Sequence, residues 1–307
     1  MPVTRPTDGE YVCHGITWAT GDPRLLLAPL PGGPLVHAEI MNQRLGFRAL
    51  GTGRWCTGRY QFADTIRVEP LACPDRAPAE QSGQCTRCGG QDDFRFAHQV
   101  HQGSHAPEVL RRYMEQPHWL YLATFADGTP KIGTAAEPRK RSRLDEQGAL
   151  FATYLAKADD GRTVRHLEDA LTRRLNVPQT VRAAAKLQAL SELRDLSTAQ
   201  AAHEKDVTRA AETLADMNTT AMLEQWTAPA EGARMRRAGM KCALYPHDLR
   251  EGEHGFTLDS FIGSQALAAL DREDDMAYLL DLGALKGRRI VLGPFNSRKT
   301  AVQSALF

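Results

Sequence analysis

No stretch of this 307-residue chain is apolar over the roughly 20 residues a membrane helix needs, so a helical membrane protein is excluded. The N-terminus, Met-Pro-Val-Thr-Arg-Pro-Thr-Asp, is polar and lacks a signal-peptide core; a cytoplasmic location and no membrane partner are therefore expected. Charge of one sign is also missing. The net charge is +1, so affinity for nucleic acid has to come from local clusters and not from a global field. No repeat is evident, which argues against a solenoid or propeller. What remains is ordinary globular composition, 42% hydrophobic and 24% charged, at a length that suggests about two domains.

The expected fold class is α+β. Residues 1–55 read as an N-terminal β region, with Tyr11–Trp18, Arg24–Leu30, Leu35–Ile40 and Leu45–Leu50 as short apolar or alternating runs between turn sequences. Residues 56–105 are rich in Cys, Gly, Pro, Gln and His and poor in aliphatics, so this loop needs a stabiliser other than a core. Residues 106–176 hold a central hairpin and helices, including Gly161–Leu175 and a helix opening near Pro138. Residues 177–240 are Ala-rich and read as one or two long helices, with Leu187, Leu190, Leu193 and Leu196 as a slowly drifting apolar face. Residues 241–307 return to β, through Ala243–Tyr245, Phe256–Asp259, Ala277–Leu282 and Arg289–Leu292. A β region at each end allows the two to share one sheet.

Four of the six cysteines, Cys56, Cys73, Cys85 and Cys88, fall in the aliphatic-poor loop. In a reduced compartment such a group reads as a metal site and not as disulfides. Cys85-Thr-Arg-Cys88 is a typical half-site, with Gly83, Gly89 and Gly90 around it. Zinc is tetrahedral and favours thiolate, so four cysteines would make a closed, structural Zn²⁺ site. His98, His101 and His105 follow closely, and one of them could replace a cysteine.

The densest chemistry lies in 119–168. Apolar Trp119-Leu-Tyr-Leu-Ala123 and Lys131-Ile-Gly-Thr134 flank Asp127-Gly128, a strong hairpin signal. The basic run Arg139-Lys-Arg-Ser-Arg143 follows at once, and Glu168 lies on the next helix candidate. This order resembles the GIY-YIG nuclease core, in which two strands carry the namesake triplets, one helix an arginine and a later helix a metal-binding glutamate. Leu120-Tyr121-Leu122 stands near the first triplet and Lys131-Ile132-Gly133 at the second. The resemblance implies Tyr121, Lys131, Arg141 and Glu168 as the catalytic set, with Arg143 as a near alternative to Arg141. It further implies Mg²⁺ or Mn²⁺ at Glu168, and Thr134, Arg139 and Arg143 as phosphate-binding groups. Active nucleases have tyrosine where this chain has Lys131. A lysine at its usual pKa is protonated and holds a phosphate more readily than it accepts a proton.

The wider chain resembles an uncharacterised bacterial family common in actinobacteria, over nearly its full length. The resemblance rests on Gln84-Cys85-Thr-Arg-Cys88, Tyr121-Leu-Ala123, Lys131-Ile-Gly-Thr134, Arg143-Leu-Asp-Glu-Gln-Gly-Ala149, Tyr245-Pro246, Lys286-Gly-Arg288 and Val291-Leu-Gly293. It implies a shared architecture and supplies no activity.

Plainer roles stay open. Glu168 could pair with Arg165 three residues earlier, Tyr121 could fill the core, and the basic run could be a solvated helix face. Three functions are compatible with these residues. The first is a protein that binds DNA or RNA and cleaves it with a divalent metal. The second is a non-catalytic nucleic-acid-binding module. The third is an enzyme acting on a small anionic substrate. The oligomeric state is not readable.

Overall fold

The computed structural model describes residues 3–4, 7–63, 67–95, 97, 107–193, 195–237, 242–271 and 276–298. In chain order the strands are β1 (Val3–Thr4), β2 (Gly9–Thr17), β3 (Arg24–Pro29), β4 (Val36–Glu39), β5 (Gln43–Leu50), β6 (Arg59–Phe62), β7 (Val68–Leu71), β8 (His118–Thr124), β9 (Pro130–Ala136), β10 (Phe151–Ala158), β11 (Glu224–Gln225), β12 (Cys242–Leu244), β13 (Gly252–Ile262), β14 (Gln265–Leu270), β15 (Ala277–Asp281) and β16 (Arg289–Leu292). The helices are α1 (Thr86–Gly90), α2 (Glu108–Met114), α3 (Lys140–Asp145), α4 (Gly161–Leu175), α5 (Ala183–Ser191) and α6 (Leu196–Asp216). The mixed α+β class holds. Among the described residues, no helix is long and apolar enough to cross a membrane.

Both ends of the chain build one 10-stranded sheet, ordered β1-β4-β3-β2-β16-β5-β13-β14-β15-β12. Strand β16 is the seam: it pairs antiparallel with β2 on one side and β5 on the other. The core on this sheet gathers Trp18, Leu25, Leu27, Phe47, Phe256 and Phe261, all essentially inaccessible to water.

The small sheet, ordered β11-β10-β8-β9, is covered on both faces. On one, Leu120, Leu122, Ile132 and Leu155 meet Val164 and Leu171 of α4 and Ala210 and Leu214 of α6. On the other, Trp119, Tyr121, Ala123, Ala152 and Tyr154 meet Leu144 of α3 and Trp226. Every residue of β8 is buried, which is why it reads as a continuous apolar run and not an alternating one. Helix α4 forms because its apolar residues recur at helical spacing and its ends are capped: Thr163 N donates to Asp160 at 2.7 Å, and Asn176 closes the C-terminus at φ 53°. His203 of α6 is a satisfied core histidine, its ring nitrogens 2.8 and 2.9 Å from the hydroxyls of Thr124 and Thr153.

Several local expectations shift. The Ala-rich region is two helices, so the leucine row crosses a break: Leu187 and Leu190 lie on α5, Leu193 between the helices, and Leu196 at the start of α6. The stretch 56–105 contains the hairpin β6–β7, four-residue strands too short to show a period. The helix near Pro138 is a 3-10 turn at Glu137–Arg139 followed by the short α3. Strand β14 was not anticipated; its Gln265-Ala-Leu-Ala-Ala-Leu sequence favours helix by propensity, and pairing with β13 and β15 overrides that.

The two sheets meet where a turn after α3 touches the β13–β14 turn. A Cβ on Gly263 would sit 2.8 Å from both the Cα and the nitrogen of Gly148, and both glycines have positive φ, 73° at Gly148 and 63° at Gly263. Trp18 Nε1 donates to the Gly263 carbonyl at 2.9 Å, so N-terminal, central and C-terminal segments converge there. Gly263→Ala should therefore lower stability by about 2 kcal/mol through backbone collision and strain. Gly21→Ala, also at positive φ but with open space around it, should cost less. Thermal unfolding of the two variants checks the difference.

Candidate anion site and cysteine cluster

Cys56 precedes the β6–β7 hairpin, Cys73 follows it, Cys85 caps α1 and Cys88 lies within α1. All four are buried, and their sulfurs lie within 4.8 Å of one another. The Cys73 and Cys85 sulfurs are 3.9 Å apart. A tetrahedral ion with metal–sulfur bonds of about 2.3 Å sets its sulfurs about 3.8 Å apart. The Gly58 amide donates to Cys56 Sγ at 3.3 Å, as a thiolate would require. Burial raises the Cys73 thiol, but the Ala77 and Asp75 amides and the neighbouring Cys56 and Cys88 bring it below its ordinary value. These residues could hold a metal ion such as zinc. His98, His101 and His105 lie outside the described residues.

The second assembly sits at the β9 edge of the small sheet. Tyr121 pairs across the ladder with Gly133, and a Cβ there would be 2.5 Å from the Tyr121 ring and hydroxyl. The absent side chain lets Tyr121 lie over β9 and reach its edge. Its hydroxyl is buried and faces the Arg143 guanidinium. Burial pushes the phenol up, opposed by the nearby Arg143 guanidinium. Lys131 Nζ donates to Gln147 Oε1 at 2.6 Å, and Lys186 Nζ to the Gln147 carbonyl at 2.6 Å. Burial pushes both ammonium groups down to about 8, and Arg143 adds to the effect on each. Lys186 also lies 4.4 Å from the centre of the Phe125 ring.

Helix α3 separates its arginines. Residues two apart on an α-helix point roughly 200° from each other. Arg141 accordingly turns out, its side chain 69% exposed and 3.8 Å from Asp145. Arg143 turns in, where it acts on Tyr121 and Lys131 and feels Glu168. The structure thus brings together Tyr121, Lys131, Arg143 and Glu168, and leaves Arg141 apart. Glu168 is buried and its carboxylate accepts from Arg165 at 2.6 Å. Arg139 pairs with Glu146 at 2.7 Å. Five cations, Lys131, Arg139, Arg143, Arg165 and Lys186, share three carboxylates, Glu146, Glu168 and, acting on Lys186, Asp281.

A pocket of about 210 Å³ opens against this group. Thr134, Arg139, Arg143 and Arg165 line it together with Tyr60, Phe94 and Tyr113. The rings of Phe94 and Tyr113 are 5.3 Å apart and edge-on, and Phe62 packs within 5.7 Å of both. Sequence reasoning missed Arg165 as a site residue, and Lys186 and the aromatic wall altogether. Gln147 was visible beside a glycine but without its two lysines. Nothing local marks Lys186, one basic residue in an Ala-rich helix.

These features define an α+β protein with a cysteine cluster able to hold a metal ion and a cationic pocket walled by aromatics. The chain belongs to the DUF2797 family, described as proteins of unknown function, which matches residues 78–233. The match takes in Cys85, Cys88, the small sheet and the whole cation group, but not Cys56, Cys73 or any strand of the large sheet. It covers about half the chain, less than the nearly full-length resemblance drawn from the sequence. No curated protein and no solved structure shows significant similarity.

Lys131 makes the buried charge measurable. Its folded pKa, about 8, lies below the unfolded value of roughly 10.4, so the unfolded chain binds more protons between those limits and stability rises with pH across that window. Below pH 8 the buried ammonium costs stability in full. Lys131→Met should stabilise the fold by about 1–2 kcal/mol at pH 7, with the gain shrinking from pH 8 to 10. Denaturant unfolding at several pH values reads this directly.

Proposed function

We propose that the pocket binds a phosphate-bearing nucleotide unit of DNA or RNA. The observation that carries this reading is a small cavity lined by three arginines and three aromatic rings, with Lys131 and Lys186 buried near Arg143. Arginines suit phosphate oxygens, and the aromatic wall suits a base. The order β8, β9, α3, β10, α4, with Arg143 on α3 and Glu168 on α4, supports a GIY-YIG-like scaffold. In that reading Arg143, not Arg141, takes the place of the family's arginine, and Lys131, bonded to Gln147, adds positive charge behind it. Thr134 and Arg139 add contacts beside it.

A divalent cation at Glu168 is disfavoured by Coulomb repulsion from the surrounding cations and by the Arg165 pair that occupies the carboxylate. Binding without hydrolysis is the preferred reading. Cleavage of a strand only with Mg²⁺ or Mn²⁺, lost in Glu168→Gln, would restore the nuclease. The pocket's small volume favours one competing reading, an enzyme for a small phosphorylated substrate. Competition by mononucleotide and by inorganic phosphate against a labelled strand separates the two.

Fluorescence anisotropy with labelled single-stranded DNA and RNA tests binding. Affinity should fall steeply with salt. It should weaken as pH rises through 8, because Lys131 and Lys186 then lose their positive charge. Arg143→Gln should weaken binding about tenfold or more, the size of a lost charged hydrogen bond, while Arg141→Gln changes it little. Salt-insensitive binding, or equal effects of the two variants, would sink the proposal.

We infer also that the four cysteines hold one Zn²⁺ that supports the fold and performs no chemistry. A cytoplasmic location fits this reading, because a reducing compartment keeps cysteines available to a metal. Elemental analysis should give about one zinc per chain, absent in Cys88→Ser. Chelation should lower the melting temperature and, by loosening the wall that carries Tyr60 and Phe94, weaken strand binding.

A further inference from the structure

We infer that the nucleic-acid path runs on from the arginine pocket, across the cysteine loop, to a second cationic group at Arg54, Lys286 and Arg288, and that its occupant is a single strand. This deepens the nucleic-acid reading above and rests on it. Three hollows are joined through shared side chains. Tyr60 and Phe94 line both the arginine pocket and a neighbouring cavity of about 460 Å³. Lys286 lines that cavity and also a third hollow of about 330 Å³, together with Arg54 and Arg288.

Both far arginines donate to backbone carbonyls, and Asp248 acts on Arg288 only through space. Arg54 donates to the Lys286 carbonyl at 3.4 Å, and Arg288 to the carbonyls of Thr52 and Gly53. Among the described residues none of the three forms an ion pair with a carboxylate. The acids along the path are occupied. Asp248 is bound by Arg250. Asp92 accepts from the Tyr60 amide at 3.1 Å and from Gln84 Nε2 at 2.6 Å. With a net charge of only +1, a polyanion depends on local strings of cations such as this one.

The aromatics select a single strand. Tyr60 is 43% exposed and stands between the two cationic groups, beside Phe94. Unpaired bases can stack on such rings, whereas duplex bases are already stacked on each other. The motif Lys286-Gly-Arg288, conspicuous in the sequence and without a role in the arginine pocket, finds one here.

The test is anisotropy with a labelled trinucleotide, a strand of about twelve nucleotides, within the range a single-strand groove engages, and a duplex of the same length. The long strand should bind more tightly than the trinucleotide and the duplex. Lys286→Gln should weaken the long strand alone and flatten its salt slope by about 0.7; Tyr60→Ala should weaken it about tenfold. Lys286→Arg should retain the affinity, and melting curves confirm that each variant folds. The path is overturned, with the pocket reading intact, if trinucleotide and long strand bind equally, if Lys286→Gln leaves the long strand unaffected, or if the duplex binds as tightly. Binding of neither length removes both readings.

Discussion

At Gly148 the connection leaving α3 runs against Gly263 with no space for a Cβ between them, and the site depends on that contact. It docks the small sheet on the large one. It also fixes the preceding residue, Gln147, whose side chain and backbone oxygens each receive a lysine ammonium. Lys131 from β9 and Lys186 from α5 would otherwise repel each other; one neutral residue holds both. Trp18 anchors the same turn from the N-terminal end of the chain. A backbone contact between two glycines thus transmits the packing of three chain segments to the charges at the pocket.

Those charges are arranged against stability. Burying ammonium groups with few acids costs free energy, and Lys131 and Lys186 are both pushed down to about 8 as a result. The protein tolerates this where Arg143 and the buried Tyr121 hydroxyl also converge. Perturbed buried charges of this kind cluster at functional sites. Glu168 and Glu146 hold Arg165 and Arg139 in place without cancelling the excess.

The cysteine loop supplies the other half of the pocket. Its hairpin is too short and too polar to be stable alone. The four sulfurs gather its two ends, and Gln84 ties Gly58 to Asp92 across it. Tyr60 and Phe94 are thereby set in the same pocket as the arginines. The cluster's contribution to the pocket is positional: it holds a wall and makes no contact with the cations.

Much of the frame was legible locally. The hairpin followed from Asp127-Gly128, the four-cysteine group from Cys85-Thr-Arg-Cys88, and four of the five strands of the N-terminal β region from short apolar or alternating runs between turns; α4 was read as a helix at its observed bounds. These features depend on neighbours in sequence, and short-range geometry decides them. The choice between Arg141 and Arg143 was not legible, because the rotation of a short helix is set by which side chain, here Leu144, finds the core. Lys186, Arg165 and the aromatic wall were hidden too, since each joins the site from a different element. The sequence by itself determined which chemistry was available: thiolates for a metal, arginines and lysines for an anion. Only tertiary packing decided which cations face one another, because a glycine contact between two sheets sets the distances over which their charges act.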